Sequence, residues 1–123
     1  MAVILVVDDE DSIRGFVALA LESAGHEVLK ARNGIEAVSL FRSYPNSIDL
    51  VLTDLMMPGM DGYEVVERIR QTRPAARIVC MSGYAAEELP EDVVFLPKPF
   101  ALGSLIAEID RALAGPPPDR RRT

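Results

Sequence analysis

The chain has 123 residues, 49% apolar and 26% charged, enough for one domain whose hydrophobic core needs no disulfide or metal staple. A formal charge of −6 argues against a nucleic-acid surface, which needs clustered Lys and Arg, and favours a protein or a cation as partner. A single cysteine excludes a disulfide framework, and no run approaches the roughly 20 apolar residues of a membrane span, so a cytoplasmic domain without membrane contact is the expectation.

Val3-Ile4-Leu5-Val6-Val7 is a continuous branched run of the kind buried on both faces of a parallel sheet, and it ends in Asp8-Asp9-Glu10-Asp11. Ile13, Phe16, Val17, Ala20, Leu21 and Ala24 then recur at helical spacing, with Asp11 or Ser12 as N-cap and Gly25 as the stop. His26-Glu27-Val28-Leu29-Lys30-Ala31 alternates more, as an edge strand does. His26 has no second ligand in view and reads as structurally ordinary. Asn33-Gly34 turns the chain into a helix facing inward through Ile35, Val38 and Phe41, which Pro45 ends.

A second strand, starting at Ile48 and built on the apolar run Leu50-Val51-Leu52, delivers Asp54 just before the loop Met57-Pro58-Gly59-Met60. Asp61 and Glu64 have the spacing of a capping box for a third helix with Val65, Val66 and Ile69 inside. Ile78-Val79-Cys80-Met81 is a buried strand ending at Ser82, with Cys80 as a small core residue. A short fourth helix is predicted over residues 85–89, cut off by Pro90. Val93-Val94-Phe95-Leu96 leads to Pro97-Lys98-Pro99-Phe100, and Leu102, Leu105, Ile106, Ile109 and Leu113 stripe the last helix. These elements predict an α/β domain over residues 1–114, a doubly wound five-stranded parallel sheet with five flanking helices. Residues 115–123, rich in Pro and Arg, predict a disordered tail or linker stub.

Asp8, Asp9, Asp54, Ser82 and Lys98 each follow or end a strand, so a parallel sheet gathers them at one rim. Carboxylates that close repel by roughly 4 kcal/mol per pair at an effective dielectric near 20. Lys98 offsets one charge. All-oxygen ligands suit Mg²⁺, with Mn²⁺ as the alternative, as the balancing ion for the rest. An ionised Asp54 beside such an ion is a nucleophile for phosphorus, and the pattern describes an aspartyl-phosphate site.

Val6-Val7-Asp8-Asp9-Glu10, the stretch from Asp49 through Asp54 to Gly62, Met81-Ser82-Gly83-Tyr84 and Leu96-Pro97-Lys98-Pro99-Phe100 resemble the receiver domain of two-component response regulators over residues 3–113. The resemblance implies a flavodoxin-like fold with strand order 2-1-3-4-5. It implies that Asp54 accepts a phosphoryl group from a histidine kinase or histidine phosphotransfer protein, and that Asp8, Asp9, Asp54 and the Met56 backbone carbonyl hold Mg²⁺. It further implies that Lys98, through a cis bond to Pro99, pairs with the phosphoryl oxygens, and that Ser82 and Phe95 form a switch. Met56 and Tyr84, two residues after Asp54 and Ser82, are implied to set the dephosphorylation rate. The implied partners are the phosphodonor and a downstream protein, acting on a monomer or weak dimer.

Ser82 stands where many members have Thr, and Phe95 where many have Tyr. Together with the short fourth helix, Ser82-Gly83-Tyr84 resembles receivers of hybrid sensor histidine kinases, whereas a Met1 that opens directly on the first strand favours a free regulator. An Asp-nucleophile, metal-dependent phosphatase is the competing class. Such enzymes of the haloacid-dehalogenase type place a second Asp two residues after the nucleophile, and here that position is Met56. A self-phosphorylating, slowly self-hydrolysing signalling module is therefore expected rather than a turnover enzyme.

Overall fold

Strand runs without a polar residue become the inner strands of the sheet, because only a strand covered on both faces buries every side chain. The computed structural model describes residues 1–84 and 89–115. In chain order its elements are β1 (Val3–Val7), α1 (Asp11–Ser23), β2 (Glu27–Ala31), α2 (Gly34–Ser43), β3 (Leu50–Asp54), α3 (Gly62–Thr72), β4 (Arg77–Ser82), β5 (Val94–Pro97) and α4 (Leu102–Ala114). The strands pair in parallel in the order β2-β1-β3-β4-β5, the doubly wound order expected.

The two-residue period of a strand divides the core. Leu5, Val7, Val51, Ile78 and Cys80 face Phe41 of α2 and Val65, Val66 and Ile69 of α3. Ile4, Val6, Leu52, Val79 and Met81 face Val17 and Leu21 of α1 and Leu105 and Ile109 of α4. Each fully buried aliphatic side chain contributes roughly 1.5–3 kcal/mol. The two layers fix the sheet, and the register then sets Val7 beside Thr53, Asp54 beside Met81, and Ser82 beside Pro97. The C-terminal ends of β1, β3, β4 and β5 thus meet along one rim.

Several expectations are corrected. Four helices, not five, lie among the described residues. The short helix predicted over 85–89 falls on residues 85–88, outside them, and Leu89 is irregular, as suits a residue preceding Pro90. Phe16 is 55% exposed and Ile35 69% exposed, so neither faces the core. The buried stripe of α1 is centred on Val17 and Leu21, with Phe16 at its margin, while α2 buries Ala37, Val38 and Phe41. Ala24 follows the end of α1 and is exposed, and Leu102 is exposed at the first turn of α4. The N-cap of α1 is Glu10, without a side-chain cap bond, rather than Asp11 or Ser12. The preceding loop is wound around Asp8, whose carboxylate accepts the Glu10 N–H at 2.9 Å while its carbonyl accepts from Arg14 at 2.8 Å, and this advances the helix start.

Three strand bounds also move. β2 starts at Glu27, and His26 instead ties the chain start to α4: its Nδ1 accepts the Ala2 N–H at 3.2 Å and its Nε2 stands 3.8 Å from Asp110. β3 starts at Leu50, after Asp49 has accepted the Val3 N–H at 2.8 Å. β5 runs one residue later than predicted, through Pro97. Half of the expected capping box is present: the Asp61 carboxylate accepts the Glu64 N–H at 3.0 Å, while the Glu64 carboxylate pairs with Arg68 at 3.0 Å. The tail expected at 115–123 lies, from residue 116 on, outside the described residues.

Candidate phosphoacceptor site

Asp8 is delivered by β1, Asp54 by β3, Ser82 by β4, and Lys98 by the turn that follows β5. Asp8, Asp9 and Asp54 each place a carboxylate oxygen within 4.8 Å of the others. Asp8 and Asp54 are buried and Asp9 is exposed, so the cluster has a dry floor and one wet wall. Lys98 Nζ lies 3.3 Å from Asp8 Oδ2 and 3.5 Å from Asp54 Oδ2. Three negative groups against one ammonium leave the pocket negative. At 4.8 Å and an effective dielectric near 20, each carboxylate pair repels by about 3 kcal/mol.

Burial raises the Asp54 carboxyl above its ordinary value of 3.8. Lys98 opposes this, Asp8 adds to it, and the Met56 N–H, 3.5 Å from Asp54 Oδ1, opposes it weakly. The hydroxyl of buried Thr53 donates to the Asp54 carbonyl at 2.9 Å, which ties down the main chain at Asp54. The ends of β1, β3 and β4 and the turn after β5 therefore hold these groups together.

Ser82 is buried, and its Oγ accepts the Tyr84 N–H at 3.0 Å. Its carbonyl accepts the Lys98 N–H at 2.7 Å, so the Ser82 and Lys98 loops are joined directly. The Lys98–Pro99 peptide is cis, as the resemblance implied. Met56 and Tyr84 are 57% and 72% exposed and flank the pocket without entering the core. Phe95 is partly buried against the layer formed by α2 and α3. The structure thus brings Asp8, Asp9, Asp54 and Lys98 together, with Ser82 one strand away, and holds Phe95 in neither a fully buried nor a fully exposed position.

The sequence reading missed two supports. A Cβ on Gly62 would stand 2.3 Å from the Asp54 carbonyl oxygen and 2.6 Å from Leu55 Cα, so only glycine lets α3 start against the end of β3. The Asp61-Gly62 dipeptide is visible in the sequence, but its local signal is that of a helix start. Arg70 is buried, donates to the Ala76 carbonyl at 2.9 Å and pairs through both terminal nitrogens with Asp92, anchoring the approach to β5. No local pattern links residues so far apart in sequence.

A doubly wound parallel domain that concentrates carboxylates, a lysine and a hydroxyl at its C-terminal rim belongs to the class built to hold a cation and a transferable anion side by side. Residues 4–110 match the response regulator receiver domain, and the chain belongs to that family. It is 37% identical over 118 residues to the sensor kinase CckA of Brucella abortus (strain 2308), covering 91% of this chain and 12% of CckA. It is 38% identical over 116 residues to the response regulator receiver protein CpdR of the same strain, covering 89% of this chain and 95% of CpdR. Among solved structures, the receiver domain of the hybrid histidine kinase CckA superposes with a TM-score of 0.83 at 35% identity, covering 91% of this chain and 99% of that one.

The chain thus spans about an eighth of one relative's length and nearly all of the other's. It is a receiver domain of two-component signalling. Receiver domains bind Mg²⁺ at an acidic pocket, and the donor set fits a hard cation: all oxygen, and no His or Cys. No helix among the described residues is long and apolar enough to cross a membrane.

Proposed function

We propose that this domain accepts a phosphoryl group on Asp54 from a phosphohistidine donor, in a Mg²⁺-dependent step, and that the modified state switches a protein-binding surface. The observation that carries this reading is the arrangement of Asp8, Asp9 and Asp54 within 4.8 Å of one another, with Lys98 Nζ in reach of two of them. An Asp54 oxygen attacks phosphorus, the P–N bond of the donor breaks, and the imidazole leaves with its electron pair and takes up a proton. Asp8, Asp9, Asp54 and the Met56 carbonyl would hold the ion, which supplies positive charge for the phosphoryl oxygens. The Lys98 ammonium and the Ser82 hydroxyl bind those oxygens from the protein side.

Ser82 moves to make that bond, and Phe95 fills the space it leaves. Its half-buried position supports a ring with two resting places. Met56 and Tyr84, exposed at the rim, control the approach of the hydrolytic water.

The donor is a histidine kinase or histidine phosphotransfer protein, and the setting is cytoplasmic. An apolar groove lined by Ile13, Phe16, Val17, Pro99 and Phe100 reaches Lys98 at the edge of the pocket. A helix carrying the phosphohistidine finds its apolar footing there. Similarity to CckA supports a place in a hybrid kinase, and similarity to CpdR supports a free regulator. Residues 1–114 are proposed as the working unit, as monomer or weak dimer.

The test is intact mass after incubation with Mg²⁺ and acetyl phosphate. One added phosphoryl group that requires Mg²⁺ and is absent from Asp54→Asn supports the reading. Catalytic turnover of a simple phosphomonoester would instead favour the phosphatase class.

A further inference from the structure

A second surface lies away from the acidic pocket, between α2 and the loop leading into α3. Ile35, Val38 and Arg42 fall at i, i+3 and i+7 on one stripe of α2, and with Met60 and Arg68 they line a groove of about 410 Å³. Ile35 is a large side chain in the first turn of the helix, mostly exposed, and it contributes little to the core. Arg42 has no carboxylate partner among the described residues. Arg32 and Arg68 each have one, Glu36 at 3.5 Å and Glu64 at 3.0 Å. Within a chain of net charge −6, this groove has an apolar floor and a basic end.

From these features we infer that the groove docks an acidic amphipathic helix of a partner protein. Seven residues of helix span about 10.5 Å, so the apolar anchor at Ile35 and the guanidinium at Arg42 match groups two turns apart on such a helix. Apolar side chains of the partner cover Ile35 and Met60, and a carboxylate pairs with Arg42. The net charge of −6 disfavours an acidic partner in general, so the Arg42 end favours this site as well as binding there.

Met60 makes the groove continuous with the loop after Asp54. A Cβ on Gly34 would meet Met60 Cβ and Cγ at 2.9 Å, so the start of α2 is packed directly on that loop. The inference does not depend on the phosphoacceptor chemistry, and it is tested on the unmodified protein.

The full chain, labelled with ¹⁵N, is titrated with two synthetic helical peptides of about 14 residues. They share Leu at i and i+4 and differ only in carrying Glu or Lys one turn further on. The expected result is saturable amide shifts confined to α2 and residues 58–68, with the Glu peptide binding about tenfold tighter than the Lys peptide. Arg42→Glu abolishes or reverses that preference, and Ile35→Ser weakens both peptides. Both positions are exposed, so circular dichroism melting of the variants should match the parent closely. Absence of saturable shifts, equal binding of the two peptides, or an unchanged preference in Arg42→Glu overturns the inference. So does self-association that accounts for the shifts.

Discussion

Lys98 Nζ stands between two buried carboxylates, 3.3 Å from Asp8 and 3.5 Å from Asp54, and is the countercharge of both. One ammonium cannot neutralise two carboxylates and the exposed Asp9 beside them. The pocket is therefore destabilising for the folded chain until a cation or proton enters, a stability deficit of the sort that often accompanies a binding site.

Asp54 shares in that deficit. Its carboxyl is raised above 3.8, chiefly by burial, so the folded chain holds the proton more tightly than the unfolded chain does. A raised acid favours folding below the unfolded value, and the benefit is lost as pH rises through the folded value. At neutral pH in EDTA, Asp54→Asn should be more stable than the parent by about 1–2 kcal/mol. That gain should shrink below about pH 4, where the parent carboxyl is protonated in both states. Urea unfolding at both pH values checks it, and an Asn variant no more stable than the parent at pH 7 would refute it.

Mg²⁺ should narrow or reverse the ranking. At about 100 times its dissociation constant a ligand adds about 2.7 kcal/mol to the folded state. The parent gains this and Asp54→Asn gains less, so the difference in melting temperature should narrow or invert on adding the ion. Equal Mg²⁺ shifts in both proteins would place the cation elsewhere.

Gly62→Ala should damage the fold and the site together. The new methyl meets the main chain of Asp54 and Leu55, which cannot swing aside as a flexible side chain could. A cost of about 2–3 kcal/mol is expected, with weaker Mg²⁺ binding. Gly103→Ala is the control. It lies in α4 with nothing within 4 Å of the added carbon, and replacing an exposed helical glycine should stabilise by about 0.5–1 kcal/mol. Thermal unfolding of both variants gives the comparison, and two changes of the same sign would contradict it.

Cys80 sets an alkaline limit. Burial pushes its thiol from an ordinary 9.0 up to about 12, so above pH 9 the unfolded thiol ionises while the folded one stays protonated. Stability is lost over that interval, by about 2 kcal/mol at a pH near 10.5. Cys80→Ala should be less stable than the parent near pH 8 by about 1–2 kcal/mol, because it leaves a small void. It should then fall less steeply as the pH rises. Urea midpoints at the two pH values measure the slopes, and parallel slopes would exclude Cys80 as their source.

Phe16 should matter to a protein donor and not to a small one. Its ring is 55% exposed at the edge of the groove that runs to Lys98. Phe16→Ala should slow phosphotransfer from a histidine phosphotransfer protein by about tenfold, as loss of an aromatic interface anchor does. Labelling by acetyl phosphate should be unchanged. Equal slowing with both donors would mean that the substitution disturbs the pocket itself.

By itself the sequence determined the sheet and its helices, because a run such as Val3 to Val7 has no polar side chain to offer solvent and must be covered on both faces. It also placed Asp8, Asp54, Ser82 and Lys98 at strand ends, since polar residues that interrupt such runs mark where the buried strand stops. Tertiary structure decided what local periodicity does not carry. Phe16 and Ile35 matched a helical stripe and still lie outside the core, because the sheet covers a narrower arc of each helix than the spacing allowed. Gly62 against the Asp54 carbonyl, Arg70 on Asp92, and Lys98 shared between Asp8 and Asp54 join residues that only parallel crossovers bring together. Their energies come from close approach in a buried, weakly screening interior, and no stretch of sequence records that proximity.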